Sequence, residues 1–403
     1  MKPRILILMH YMELGGAESA LLGLLQSVNP SLVNLDVFLY SHRGELMEFI
    51  PKEKVNLLPE EEAYSLTEKP LSEVFRKGCL GLAIARLIGR WQTSRFCNQH
   101  KGDDKPCEGG TFFQQRATWR FLPKIQPDVE YDLAISFLTP HYIVLNNVRA
   151  KKKMGWIHTD YTRILVDVEA ELKMWKGLDY IASISEEVGE RFGEVFPSLK
   201  PKLVQIENIL NPDFIRKRAD ESAVSLDADS SVIKLLTIGR FSPPKKMEEI
   251  PLICRKIREM GILVKWYIIG YGSKELERVV RENSAQEGVE EYVIILGKKK
   301  NPYPYIKACD IYVQPSRYEG KSITVREAQI LCKPVIITNY PTANSQVMDG
   351  VDGVIVPMDV DKCAQKMIEF ISDRTKQKEI VEYLKAHDYG NECEIEKIYA
   401  LLR

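Results

Sequence analysis

Two glutamates eight positions apart, Glu319 and Glu327, stand in YEGKSITVREAQILC, directly after the apolar run IYVQP. Ser322, between them, suits a helix cap, and the backbone N–H groups at 321–324 of a helix starting there would point at an anion lying above them. Glu319 then falls in the loop and Glu327 about 1.4 turns into the helix. Two carboxylates cannot both favour a phosphate, so their natural partners are sugar hydroxyls, as when an acidic residue holds a ribose. The plainer reading pairs Glu327 with a neighbouring cation, Arg326 or Lys333.

Three other clusters also follow apolar runs. After IKLLTI come Gly239, Arg240 and the pair Lys245 and Lys246. Glycine admits close backbone approach, and a planar guanidinium with an ammonium nearby suits a diphosphate, although a solvated basic turn has the same composition. After KWYII come Gly270, Tyr271 and Gly272, the first two glycines of a dinucleotide fingerprint, with Glu275 in the third position. No acidic residue closes a second strand about 20 positions on, so NAD is not expected. In WIHTD, Trp156, His158 and Asp160 share one face if the stretch is extended; Asp160 could orient His158, and an ordinary core histidine is the other reading. Two DxD sequences, Asp227/Asp229 and Asp359/Asp361, lie in a polar stretch and at a helix start, where capping explains them better than a cation. No metal and no cofactor are expected.

The elements that must carry these loops are short buried strands separated by helical stretches. Arg4–Met9, Leu35–Tyr40, Leu133–Ser136, Tyr180–Ser183 and Leu203–Ile206 form one series, and Ile233–Ile238, Lys265–Ile269, Val293–Leu296, Ile311–Gln314 and Val335–Thr338 a second. Fully apolar strands alternating with helices imply parallel sheets covered on both faces, so an α/β fold with two doubly wound sheets is expected. Open sheets of this kind bind ligands beyond the carboxyl ends of their strands, where all four clusters fall.

At 403 residues the chain is too long for one core and suits two domains. The polar stretch 211–231 reads as the linker between residues 1–210 and 232–387. Basic and acidic residues balance at 56 each, which argues against a dedicated nucleic-acid binder. Eight cysteines without a CxxC pair and six histidines without ligand spacing read as thiols in a reducing compartment, with no structural zinc. The apolar run Ile5–Met9 is far shorter than a span, and a cytoplasmic location is expected.

Residues 75–124 fit neither strand series and hold ten basic residues against three acidic ones, Asp103, Asp104 and Glu108. VFRKGCLGLAIARLIGRW sets Leu80, Ile84, Leu87, Ile88 and Trp91 at amphipathic spacing, with Arg76, Lys77, Arg86 and Arg90 beside them. These apolar residues either pack on the N-terminal core or give peripheral contact with the inner face of a cell membrane.

Read as a whole, the sequence resembles the retaining glycosyltransferases of family GT4, whose two-domain architecture is GT-B. The resemblance rests on GGAESALL, WIHTD, SISEEV, ENILN, IGRFSPPKK, IIGYGSKEL and YEGKSITVREAQILCKPVIITN, in family order. It implies two Rossmann-like domains facing a cleft, an acceptor-side domain at 1–210, a nucleotide-sugar domain at 232–387, and a last helix within 388–403 crossing back to the first. It implies that Arg240 and Lys245, after Gly239, hold the donor diphosphate, that Glu327 holds the ribose, and that Glu319 contacts the transferred sugar. Backbone at Gly320, Lys321, Ser322 and Ile323 would reach the sugar and distal phosphate, and the loop from Gly297 would flank the base. Gly15, Gly16 and His158 would serve acceptor and donor sugar from the first domain. The partners implied are a nucleotide-sugar donor, UDP-linked, and a glycan or lipid-linked saccharide acceptor of surface polysaccharide synthesis. The rival readings are a glycan- or partner-binding protein on this fold without turnover, and a phosphorylase, for whose pyridoxal lysine no segment stands out. Lys321, Ser322 and Cys332 depart from the family pattern. Cys332 replaces a glycine at a helix end, which demands a left-handed residue or a different cap.

Overall fold

The structure, a computed structural model, describes residues 2–103, 105–107 and 109–403. The chain forms two compact units, Met1–Ile209 with Asn391–Arg403, and Leu210–Gly390.

In the first unit β1 (Arg4–Met9), β2 (Asn34–Leu39), β3 (Asn56–Leu57), β4 (Tyr131–Ser136), β5 (Ala150–Ile157), β6 (Tyr180–Ser183) and β7 (Leu203–Gln205) form one parallel sheet in the order β3-β2-β1-β4-β5-β6-β7. In the second, β8 (Ile233–Ile238), β9 (Val264–Ile269), β10 (Val293–Gly297), β11 (Ile311–Gln314), β12 (Val335–Thr338) and β13 (Val354–Val356) form another in the order β10-β9-β8-β11-β12-β13. Burial on both faces explains the unbroken apolar runs: five of the six residues of β1, and all four of β11 and of β12, are buried. In each unit the first strand lies inside the sheet, third in the order, and the strand order reverses beside it, between β1 and β4 and between β8 and β11. That reversal parts the flanking loops and leaves a crevice beyond the carboxyl ends of the two strands.

Two expectations need correction, the linker and the free thiols. The stretch 211–231 opens with a helix, Pro212–Ala219, inside the second unit; the Asn211 side chain caps it by accepting from Phe214 N–H at 2.8 Å, and Ile215 and Ala219 are buried. A cap, a proline at the first turn and apolar residues at i and i+4 outweigh the polarity of the stretch. The last helix expected within 388–403 is Ile395–Ala400, after a tight turn at Glu392–Glu394. This segment belongs to the first unit, where Tyr399 accepts from Asn29 N–H and Lys152 donates to the Leu401 carbonyl. The cysteines are not all thiols, because Cys97 and Cys107 are joined as a disulfide.

Residues 75–124 contain the helices Leu80–Gln99 and Gly109–Thr118, packed side by side. Asp104 and Glu108 lie outside the described residues. Cys332 takes the left-handed conformation, φ 54°, that a glycine would otherwise supply at the end of the helix Ile323–Ile330.

Candidate functional site

The loops after β8 and β11 meet at the crevice of the second sheet. Lys245 closes a tight turn, Pro243–Lys245, and its Nζ lies 2.6 Å from Glu319 Oε1. Both side chains are largely shielded from solvent, so this ion pair joins two loops 74 residues apart in the chain. The same carboxylate oxygen accepts from Ser316 Oγ at 2.5 Å and Gln314 Nε2 at 3.1 Å, while Thr342 Oγ1 donates to the Glu319 carbonyl at 2.9 Å. Arg317 fastens the loops from outside: its N–H and one guanidinium N–H donate to the carbonyls of Pro244 and Pro243, and a second guanidinium nitrogen meets Glu248 at 2.6 Å.

Lys246, next in sequence, does something different. Its backbone turns left-handed, φ 55°, and its buried ammonium pairs with Glu249 and donates to the Met358 carbonyl. Arg240 is exposed and pairs with no carboxylate among the described residues. Gly239 and Gly270 are explained by backbone contact: a Cβ on Gly270 would lie 1.9 Å from the Gly239 carbonyl oxygen. Phe241 N–H donates to Tyr271 O, and Ser273 N–H to Phe241 O, so the glycines of the GYG sequence lock one loop against the other. Gly297, with φ +71° and open space around its Cβ position, turns the chain out of β10 and accepts from Gly270 N–H at 3.1 Å.

Ser322 stands at the cap position of Ile323–Ile330, but its hydroxyl does not cap the helix; it lies 3.1 Å from Thr324 Oγ1. Its N–H is held by Gln346 Oε1 at 3.1 Å, so that amide is already engaged. The first intrahelical bond runs from Arg326 N–H to Ser322 O at 3.5 Å, which leaves the amides of Ile323, Thr324 and Val325 at the open end of the helix. Gly320 and Lys321 are half-buried beside it.

Glu327 is 3% exposed and accepts from Tyr303 OH at 2.9 Å. Burial pushes its carboxyl up to about 7, the Tyr303 hydrogen bond partly opposing the shift. The neighbouring cations go elsewhere: Lys333 Nζ donates to the Cys309 carbonyl, and the Arg326 guanidinium lies 5.1 Å from the Tyr389 ring centre.

In the first unit His158 follows β5, and its Nε2 lies 2.8 Å from the Phe137 carbonyl at the end of β4. That bond makes Nε2 the protonated nitrogen and leaves Nδ1 as an acceptor; burial lowers the imidazole to about 4. Asp160 does not orient it. Its carboxylate accepts from Thr162 N–H and Oγ1 and meets Arg163. Gly15 and Gly16 open the helix Gly16–Ser27 after β1, and a Cβ on Gly15 would collide with the Glu18 carboxylate folded back over that turn. Both DxD sequences hold internal contacts: Asp227 pairs with Lys265, Asp229 accepts from Ser231, Asp359 caps the helix Val360–Ser372, and Asp361 pairs with Lys256.

Several residues at these crevices are not among those singled out from the sequence. Gln314 and Ser316 could have been noticed as polar groups ending a buried strand. Arg317, Tyr303 and Gln346 act through partners distant in the chain. In the first unit His10 directly follows β1, and its Nδ1 lies 2.8 Å from Glu68 Oε1; the His10 contact and nearby Arg43 hold that carboxyl low against the effect of burial.

Residues 219–387 match the family model described as glycosyl transferases group 1. The chain is 24% identical over 179 residues to the UDP-Gal:alpha-D-GlcNAc-diphosphoundecaprenol alpha-1,3-galactosyltransferase of Escherichia coli, covering 44% of this chain and 46% of that protein. It is 29% identical over 145 residues to the capsular polysaccharide biosynthesis glycosyltransferase CapM of Staphylococcus aureus, covering 36% and 38%. The chain spans about half the length of the curated relatives it matches. Among solved structures it superposes on Anabaena HepE in complex with UDP and glucose at a TM-score of 0.68, with 15% identity over 99% of this chain and 98% of that one. Staphylococcus aureus TarM, in a complex that includes UDP, gives 0.67 with 13% identity over the full length of both chains. At such identities the likeness establishes the fold, which is GT-B.

Proposed function

We propose that the protein is a retaining glycosyltransferase that moves a hexose or N-acetylhexosamine from a UDP-sugar to a glycan or lipid-linked oligosaccharide in surface polysaccharide synthesis, without a metal ion. The observation that carries this reading is the Lys245–Glu319 contact at the β8/β11 reversal, with Arg240 unpaired nearby in the chain and an open helix end at Ile323. Breaking the bond between a sugar and its diphosphate leaves positive character on the anomeric carbon and negative charge on the leaving phosphate. An ammonium has three donors, so Lys245 can keep Glu319 while also meeting a phosphate oxygen. Arg240 and the free helix amides add to that anion-stabilising field, which is the chemistry a metal would otherwise supply. Glu319, held by Ser316 and Gln314, stays at the sugar side with its charge available to the developing cation.

Glu327 is the group for the ribose hydroxyls; His158, in the first unit, carries an Nδ1 able to accept a hydrogen bond. With configuration retained, attack on the same face as the departing phosphate fits a site where Glu319 is already tied down by three donors. UDP is favoured as the carrier because HepE and TarM are described with it and the Escherichia coli relative is named for a UDP-sugar.

The deciding experiment screens UDP-, GDP- and ADP-sugars for thermal stabilisation and slow hydrolysis, then assigns the anomeric configuration of the product by NMR. Stabilisation by UDP and its sugars, retained configuration and activity unchanged by EDTA are expected. Preference for another base, inversion, or loss on chelation with recovery on adding magnesium or manganese would each overturn the matching part. No turnover of any donor would leave a binding protein.

A further inference from the structure

The helix Leu80–Gln99 carries its large apolar side chains on the side away from the protein. Toward the protein it presents small residues, Ala83, Ala85 and Gly89, with Leu82, and the buried Arg86, whose guanidinium donates to the Leu66 and Lys69 carbonyls. A Cβ on Gly89 would lie 2.7 Å from Gln114 Cα, so close approach of the helix Gly109–Thr118 requires that small face. On the opposite side Leu80, Ile84, Leu87, Ile88 and Trp91 are between 46% and 59% exposed. At about 100° per residue these five fall within one arc of about 100°, along a helix about 30 Å long. Phe121, packed against Gly81 and itself 52% exposed, widens the patch. Monomeric proteins rarely expose a contiguous apolar stripe of this kind without a use for it.

The charge around the stripe has one sign. No acidic residue occurs from Leu80 to Gln99. Arg90, Arg95, Arg116 and Arg120 are exposed and pair with no carboxylate among the described residues. Arg95 lies over Trp91 at 5.5 Å, placing a cation beside an amphipathic ring. By contrast, Arg76 and Lys77 are balanced by Glu73 and Glu62.

We infer that this face docks the first unit on an anionic phospholipid bilayer. The apolar stripe enters the boundary between headgroups and acyl chains, and the unpaired arginines meet lipid phosphates. Charge decides the occupant. A second copy would bring an equally basic face against this one, stacking like charges, whereas an anionic membrane complements both the charge and the apolar stripe. The helix lies on the surface: among the described residues no helix is long and apolar enough to cross a membrane. This docking is independent of the proposed transfer chemistry, and its test contains no nucleotide.

The full chain is cosedimented with vesicles of equal parts phosphatidylcholine and phosphatidylglycerol, and with pure phosphatidylcholine vesicles, at low and high salt. Binding to the anionic vesicles at low salt is expected, weaker by about tenfold or more at high salt or on neutral vesicles, because the arginines supply charge attraction. Trp91→Ala should weaken it by about tenfold, as expected for one large apolar side chain. Arg90→Glu with Arg95→Glu should abolish it, with thermal melting unchanged because both residues are exposed. Absence of binding at low salt, equal binding to neutral vesicles, or indifference to these substitutions overturns the inference. So does a concentration-dependent dimer, seen by sedimentation, that Trp91→Ala dissolves, since the face would then belong to a second copy.

Discussion

Glu327→Gln should flatten a pH dependence of stability that the wild-type chain shows between about pH 4.5 and 8.5. Glu327 is almost completely buried, and its carboxyl moves from 4.5 to about 7. At 1.36 kcal/mol per unit this displacement corresponds to about 3 kcal/mol. The sign follows from proton binding. Between these values the native chain holds a proton that the unfolded chain has released, so stability falls as pH rises through the window and levels off above 7. Glutamine keeps the volume and the oxygen that accepts from Tyr303 OH, and it cannot ionise. Urea melts of both proteins at pH 4.5 and 8.5 give two differences. The variant should gain on the wild type by about 3 kcal/mol from the first pH to the second. Glu171, also raised to about 7 by burial, contributes equally to both proteins and cancels. A difference that stays constant with pH would show that Glu327 titrates like a solvated glutamate. A binding experiment extends the test. If ribose hydroxyls donate to the ionised carboxylate, wild-type affinity for UDP should fall by up to about tenfold per pH unit below 7, more steeply than in the variant.

Glu319→Gln should lower turnover by about 100-fold while leaving nucleotide affinity within a few-fold, because a preorganised charge beside the reacting carbon matters most in the transition state. Melting curves control for a merely structural role in the loop, and an unimpaired variant removes Glu319 from the mechanism. His158, lowered by burial to about 4, should be neutral throughout the working range, so its substitution by Gln should leave the rate profile between pH 5.5 and 8 unchanged in shape. Its protonation costs stability instead, lost as pH falls from 6.5 through 4, with His141 acting in the same direction; an activity limb near 6.5 that vanishes in His158→Gln would contradict this. Denatured without reductant, the chain should show six reactive thiols, rising to eight after reduction, because Cys97 and Cys107 are joined. Eight before reduction would refute the disulfide, whose closed loop corresponds to about 3 kcal/mol in the chain-entropy picture.

Much of the fold is legible because buried parallel strands are written as unbroken apolar runs; Ile233–Ile238 and Tyr180–Ser183 coincide with strands residue for residue. The strand Ala150–Ile157 is legible only in its second half. Lys151, Lys152 and Lys153 break the run, and each is satisfied at a distance, by Asp132, the Leu401 carbonyl and the Leu145 carbonyl. The helix Leu80–Gln99 shows a subtler limit. Periodicity reveals an apolar stripe but not which way it faces, and here the small residues opposite the stripe made the decision by letting a second helix approach. Ala83, Ala85 and Gly89 were visible in the sequence, and close helix packing through small residues is the signal that could have been read.

The candidate site divides along the same line. Glu319, Glu327 and Lys245 were legible because each sits at a fixed distance from the end of an apolar strand. Their contacts were not, since Lys245 meets Glu319 only because β8 and β11 are neighbours in the sheet, although β9 and β10 intervene in the chain. Sequence order places those two intervening strands on one side of β8, and the crossover to β11 carries the chain to the other. The two loops that part at this reversal are therefore the two whose side chains can converge from opposite sides on one ligand. A substitution that weakens the Arg317 bridge between them should act on Lys245 and Glu319 together, although Arg317 hydrogen-bonds to neither side chain. It is a positioning residue: Arg317→Leu should lower turnover and nucleotide affinity jointly, where Glu319→Gln lowers turnover alone. If Arg317→Leu leaves both quantities unchanged, the two loops hold their geometry without the bridge, and the ion pair itself is enough to keep the site assembled.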